Sequence, residues 1–208
     1  MIRRDFLFLG GASLALAGCG DLLGPPPAPP IYVMQAPAPL QSMAKLAWSL
    51  SVMRPTAPAA LSGDRIPLIQ PDLTLDYYAN ATLPDAIPDL VQAATVEAFE
   101  KSGAPASVAR DADTLHADYV LVLDIKDFEL RYAMKDGVPE ALVTVMARLA
   151  TAHGRVVASS TEVTQRVPAS ANNVAAAVAA LGQALGAVTA GIVTWAVTFP
   201  APVSPARP

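Results

Sequence analysis

The sequence is poor in the residues on which most site chemistry depends. Its 208 residues include one cysteine and two histidines. A single cysteine cannot close a disulfide within the chain, so the core must hold by packing alone. His116 and His153 sit in loop-like stretches, and with no further cysteine or histidine they supply no zinc-ligand set. No Gly-x-Ser-x-Gly, no phosphate-cradling glycine loop and no His-Glu-x-x-His occurs. Charged residues make up 15% of the chain, below the usual quarter. The formal charge is −4 and nothing basic is clustered, which argues against a nucleic-acid partner. No catalytic residue, metal ligand or cofactor is therefore assigned, and the chain reads as a non-enzyme.

What is there begins at the N-terminus. "MIRRDFLFLGGASLALAGCG" has a basic head at Arg3 and Arg4, an apolar stretch from Phe6 to Ala17, and the ending Leu16-Ala17-Gly18-Cys19. That is the three-part layout of an export signal. At about a dozen residues the apolar part is too short for a transmembrane helix, which needs about 20. The Leu-Ala-Gly-Cys ending resembles the lipobox of bacterial lipoproteins, in which the cysteine becomes the lipidated first residue of the mature chain. Cys19 is thus the expected membrane anchor and residues 1–18 the removed signal. "RRDFL" resembles the twin-arginine export motif, favoured here over the general secretory route. Gly20 rather than aspartate after the cysteine points to the periplasmic face of the outer membrane. The nearby Asp21 leaves the inner membrane open. Removing Arg3, Arg4 and Asp5 with the signal leaves 12 basic and 17 acidic residues, a charge of −5.

Residues 19–44 read as a lipidated, proline-rich tether. "GPPPAPPIYVMQAPAP" favours polyproline II, at about 3 Å per residue, with Ile31-Tyr32-Val33-Met34 able to add a short edge strand. The folded domain is expected over 45–199. Alternation predicts strands in "KLAWSLSVMRP", at Ile66–Gln70, at Leu73–Asn80 and in "ASVARD". In "LPDAIPDLVQAATVEAFEKSG" the period changes: Ile87, Leu90, Val91, Ala94, Ala98 and Phe99 share one helix face. Pro88 fits its first turn, Asp85 and Asp89 its N-terminal dipole, and Lys101 with Gly103 its end. "DYVLVLDIKDFELRY" changes faces partway, which predicts a β-bulge near Lys126-Asp127. The same argument puts Asp124 and Asp127 on the solvent face, away from any acid/base role. A turn through Asp136-Gly137 and two further strands, "EALVTVMARLAT" and "GRVVASSTEVTQRV", complete an antiparallel meander.

The last element, from Asn172 to Phe199, carries no charge. Its seam of Val174, Val178, Leu181, Leu185, Val188, Ile192, Trp195 and Phe199 steps by 4 and 3 residues. Gly182 and Gly186 form a small-xxx-small pair, as in membrane helices. Sparse large apolar residues, the polar Asn172, Asn173 and Gln183, and no closely flanking basic residue favour a core helix instead. A partner- or lipid-contacting helix and a true span are the other readings. Residues 200–208 read as a tail. The fold class is α/β (α+β): an antiparallel meander with two main helices packed on one side.

Four stretches, "LSVMRPTAPAALSGDRIPL", "LDYYANATLPDAIPDLVQAATVEAFEKSG", "ADYVLVLDIKDFEL" and "VTVMARLATAHGRVVA", resemble the ABC-type transport auxiliary lipoproteins. The Tyr77-to-Ala81 run, the helix start at Pro88–Gln92 and the Ala117-Asp118-Tyr119 segment are the most specific. Leu83 stands where the family often has tryptophan. The resemblance implies a non-catalytic periplasmic lipoprotein. Its partners would be an ABC permease and ATPase with an MCE-domain protein, moving phospholipids or related hydrophobic molecules between membranes. A lipid-binding carrier and an outer-membrane assembly lipoprotein are the alternatives, and an internal cavity of several hundred Å3 would favour the carrier. Exposed apolar positions on either helix are the expected contacts. Tyr77, Tyr78 and Asn80 are possible contact residues, because not all three have an obvious core role.

Overall fold

A computed structural model describes residues 28–35, 43–113, 116–153 and 156–200. Cys19, the export signal and the tail 201–208 lie outside the described residues. In chain order the elements are β1 (Ser49–Val52), β2 (Arg65–Ile69), β3 (Leu75–Thr82), α1 (Ile87–Ser102), β4 (Ser107–Arg110), β5 (Tyr119–Arg131), β6 (Glu140–Thr151), β7 (Val157–Pro168) and α2 (Val174–Ala196).

The long strand β5 organises the sheet. On one side it pairs antiparallel with β6 along its whole length, and β6 pairs antiparallel with β7. This is the expected meander. On its other side β5 is met by β1 at its start and by β2 at its end, both parallel. β4 continues outward from β1 in parallel, and β3 from β2 antiparallel. The seven-stranded sheet is therefore mixed and forked. Periodicity tells which face a residue takes and not which strand lies beside it, so the parallel pairings were illegible.

The bulge in β5 falls at Lys126, where the register with β6 shifts between Ile125 and Asp127. One extra residue keeps Leu121, Leu123, Ile125, Phe128 and Leu130 on one fully buried face. Both helices lie against that face and touch each other, α1 over β4 and β1, α2 over β6 and β7. α1 ends on Gly103 at φ 64, the left-handed conformation that glycine takes without strain. Its buried stripe is rotated from the expected one. Gln92, Thr95 and Ser102 are buried because each makes its own hydrogen bond. Gln92 Nε2 donates to Val52 O and to Asp111 Oδ1, both at 2.9 Å. Thr95 Oγ1 donates to Val91 O and Ser102 Oγ to Phe99 O, each at 2.7 Å.

α2 starts on Asn173, whose Oδ1 accepts from Ala176 N at 2.9 Å. By length and composition it could cross a membrane. Here it is a core helix: Val178, Leu181, Leu185, Val188 and Ile192 are buried against the sheet. Its C-terminal end is pinned by Trp48 Nε1 donating to Phe199 O at 3.0 Å and Tyr119 OH donating to Pro200 O at 2.9 Å.

Candidate docking surface

The exposed large apolar side chains lie on loops and strand ends, and none lies on α1 or α2. Four of them share one end of the sheet. β2 finishes at Ile69, beside Arg131 at the end of β5, and Tyr132 N donates to Ile69 O at 2.9 Å. The turn joining β2 to β3 and the loop joining β5 to β6 therefore leave the sheet side by side. The first carries Leu73 (83% exposed) and runs into Leu75 (40%), the first residue of β3, and the second carries Met134 (72%) and Val138 (55%).

Leu73 is the most unusual residue of this surface. Its φ is +66°, a conformation that a bulky side chain adopts only under constraint. The constraint is local: Leu73 N donates to Gln70 O, Gln70 N to Thr74 O, and Thr74 N to Asp72 Oδ1 at 3.1 Å. Hydrogen bonding to Thr74 holds the Asp72 carboxyl below its ordinary range. In the facing loop Asp136 takes φ +58° and Gly137 N donates to Met134 O at 3.0 Å. The left-handed residue of the expected Asp-Gly turn is thus the aspartate.

Tyr77, Tyr78 and Asn80 lie behind this end on β3, where pairing with β2 slips by three residues between Arg65 and Pro67. The slip takes up the run that alternation reads as a smooth strand. Asn80 supplies its left-handed residue (φ +52°) and is exposed. Tyr77 is held by its hydroxyl donating to Ala60 O at 3.1 Å and by the Arg65 guanidinium 3.7 Å above its ring. Tyr78 OH lies 2.6 Å from Tyr132 OH, which donates to Asn172 Oδ1 at 3.0 Å. Since Tyr132 gives its proton to Asn172, Tyr78 is the donor to Tyr132. Asn172 Nδ2 donates on to Asp136 O at 3.1 Å. Burial, then the Tyr132 hydrogen bond, push the Tyr78 phenol well above its ordinary pKa. This chain of four groups ties β3, the β5–β6 loop and the start of α2 together beneath Met134 and Val138. Leu83 fills a core position.

The tether meets the domain at the other end of β3. Ile31 bridges Thr82 in parallel: Tyr32 N donates to Thr82 O at 2.8 Å and Thr82 N to Pro30 O at 3.3 Å. The segment then crosses α2 at Gly182, where an added Cβ would sit 2.8 Å from Gln35 O. Gly182 serves close approach within the chain. An open cleft of about 460 Å3 runs here between Tyr32, Val33 and Gln35 and the α2 residues Ala175, Val178, Ala179 and Gln183.

The charged residues brace the fold. Asp118 Oδ2 accepts from both Ser49 N and Ser49 Oγ at 2.8 Å, locking β5 beside β1. Asp124 and Asp127 lie on the sheet face away from the helices, partly exposed and paired with Lys126 and Arg131. Arg54 holds Asp89 in a two-pronged contact at 2.5 and 2.9 Å, which lowers the Asp89 pKa. His116 and His153 are exposed. The arrangement is built to present an apolar surface on a rigid support, and sequence reasoning missed Leu73, Leu75, Met134 and Val138. The only sequence signal for them was apolar residues beside the turn residues Pro71-Asp72 and Asp136-Gly137, which a strand reading absorbs.

Residues 32–193 match the family model of the ABC-type transport auxiliary lipoprotein component. The chain belongs to that family. The match extends from the tether's contact with α2 almost to the end of that helix, so the tether segment is part of the family domain. Members are lipoproteins that act as auxiliary components of ABC-type transport, which makes this an envelope-associated, membrane-anchored protein. Protein XCC0632 from Xanthomonas campestris is similar in structure, with 30% identity and a TM-score of 0.75 over 81% of this chain and 95% of that one. Hypothetical protein CT253 from Chlamydia trachomatis, 9% identical, shares the fold with a TM-score of 0.54 over 75% and 98% of the two chains. The uncharacterized protein bll6063 of Bradyrhizobium diazoefficiens is 32% identical over 80% of this chain. The chain spans 44% of the length of that relative.

Proposed function

We propose that this protein is a periplasmic, non-catalytic auxiliary subunit of an MCE/Mla-type ABC transporter, anchored through lipidated Cys19 to the outer membrane. The transporter would move phospholipids or other hydrophobic molecules across the envelope. The observation that carries the reading is the polarity of the domain. The tether enters at Pro30 beside Thr82, where Ile31 and Val33 are also exposed, and the cluster of Leu73, Leu75, Met134 and Val138 lies at the opposite end of β3. If the stretch from Cys19 to Pro30 takes the polyproline II form expected from its sequence, it would reach about 35 Å. An anchored domain therefore turns its apolar end away from its own membrane, towards an MCE-domain protein and its permease. Tyr77 and Tyr78 serve that contact by fixing β3, and exposed Asn80 is the member of the trio open to a partner.

The test is purification of the full-length protein from its own membranes in mild detergent, followed by mass spectrometry of bound proteins and lipids. Recovery of an MCE-domain protein or permease with little stoichiometric lipid is the expected result. The open cleft over α2 favours a second reading, a lipid carrier. Stoichiometric phospholipid without transporter subunits would replace the first reading with that one.

A further inference from the structure

β7 is an edge strand. It pairs with β6 on one side, and among the described residues no strand pairs with the other. Proteins usually blunt so long an edge with lysine, proline or a bulge. β7 has no lysine, its bulge lies near Ala158, and its proline is its last residue, Pro168. Between them runs a regular edge centred close to Thr164. Its two charges, Glu162 and Arg166, flank Thr164 symmetrically on the face away from the helices, opposite Met146 and Leu142 of β6.

We propose that β7 pairs antiparallel with β7 of a second copy of this chain about a twofold axis through Thr164, joining two seven-stranded sheets into one. In this register Glu162 faces the partner's Arg166, Arg166 faces the partner's Glu162, and Thr164 faces itself. Opposite charges directly across two strands stabilise the pairing, and like charges oppose it. An axis through Glu162 or through Arg166 would set that charge against its own copy, and an axis one residue away from Thr164 would leave both charges facing uncharged side chains. The intended register also spans Ser160 to Pro168, so the bulge at one end and the residue lacking an N–H at the other mark its limits. Arg166 already lies 3.3 Å from Glu140. The partner's Glu162 would complete a ladder in which one cation sits between two carboxylates. On the other face Val163 stays packed beneath Gly191 of α2, so pairing leaves the core untouched.

The test uses the full-length protein in detergent, independently of whether a transporter is present. Light scattering should give a dimer. Thr164→Cys should crosslink into a covalent dimer on mild oxidation. Ser160→Cys should not, because its copy would lie eight residues away along the strand, about 27 Å. Glu162→Lys and Arg166→Glu should each weaken self-association about tenfold, and mixing the two variants should restore it, since every facing pair is then opposite in charge. A monomer, equal crosslinking at both cysteines, or no recovery on mixing would overturn the proposal.

Discussion

A leucine held at φ +66° with its side chain in water is unfavourable twice, by backbone strain of about 1 kcal/mol or more and by exposed apolar surface. Aspartate tolerates that backbone better. Leu73→Asp should therefore leave the melting temperature unchanged or slightly raised, while recovery of transporter subunits from membranes falls at least tenfold. A clear drop in melting temperature would instead make Leu73 a folding residue and remove it from the docking surface. Gly182 gives the opposite expectation. A methyl group there meets backbone at Gln35, which cannot rotate away. Gly182→Ala should cost about 1–3 kcal/mol or lift the 30–35 segment off α2. Denaturant midpoint and the rate of proteolysis around Gln35 distinguish these outcomes.

At the scale of elements, the bulge in β5 is the feature most fully written in the sequence. Deleting Lys126 would remove the extra residue and leave Leu121 to Leu130 in regular alternation with the apolar set still on one face, and Lys126→Ala removes only a partly exposed pair with Asp124, worth at most about 1 kcal/mol. Both variants should therefore still unfold cooperatively in urea, the substitution with its midpoint barely shifted, and loss of cooperative unfolding in the deletion variant would mean that the bulge itself is needed for packing. The α2 seam was equally legible, because a step of 4 and 3 residues leaves one buried stripe. Other features were not. Alternation over Leu73–Asn80 cannot report that Asn80 is left-handed, nor that the strand begins only at Leu75, because both follow from pairing with β2. Gln92 and Thr95 look like solvent-facing positions until their partners, Val52 O and Val91 O, are known. The Arg54–Asp89 contact, joining the exit of β1 to the first turn of α1, also needed the fold. Its carboxyl has a lowered pKa in the folded state. The pair therefore contributes its full stability above the ordinary aspartate pKa of about 3.9 and loses it as pH falls through the lower folded value. The melting-temperature difference between the parent and Arg54→Ala should accordingly be largest near neutral pH and shrink as pH falls through the lowered folded value, a trend readable by thermal unfolding across acid pH.

For the whole molecule, the proposed anchor at Cys19 and the apolar surface at the far end of β3 would make tether length a functional quantity. If the docked partner stands away from the anchoring membrane, the domain must be held at a distance, and on the proposed reading the stretch from Cys19 to Pro30 would set it. Removing residues 24–28 shortens the reach by about 15 Å without touching the Ile31–Thr82 bridge. Such a protein should fold, remain in the membrane fraction, and recover fewer transporter subunits than the parent. Cys19→Ser should do the reverse: the domain leaves the membrane fraction with its melting temperature intact, and still binds the detergent-solubilised transporter when mixed with it. The two variants together separate anchoring from docking. Full recovery of the transporter by the shortened protein would mean that the partner reaches the domain close to the membrane surface. The contact would then lie near the tether, at the cleft over α2, and the polarity argument would fail.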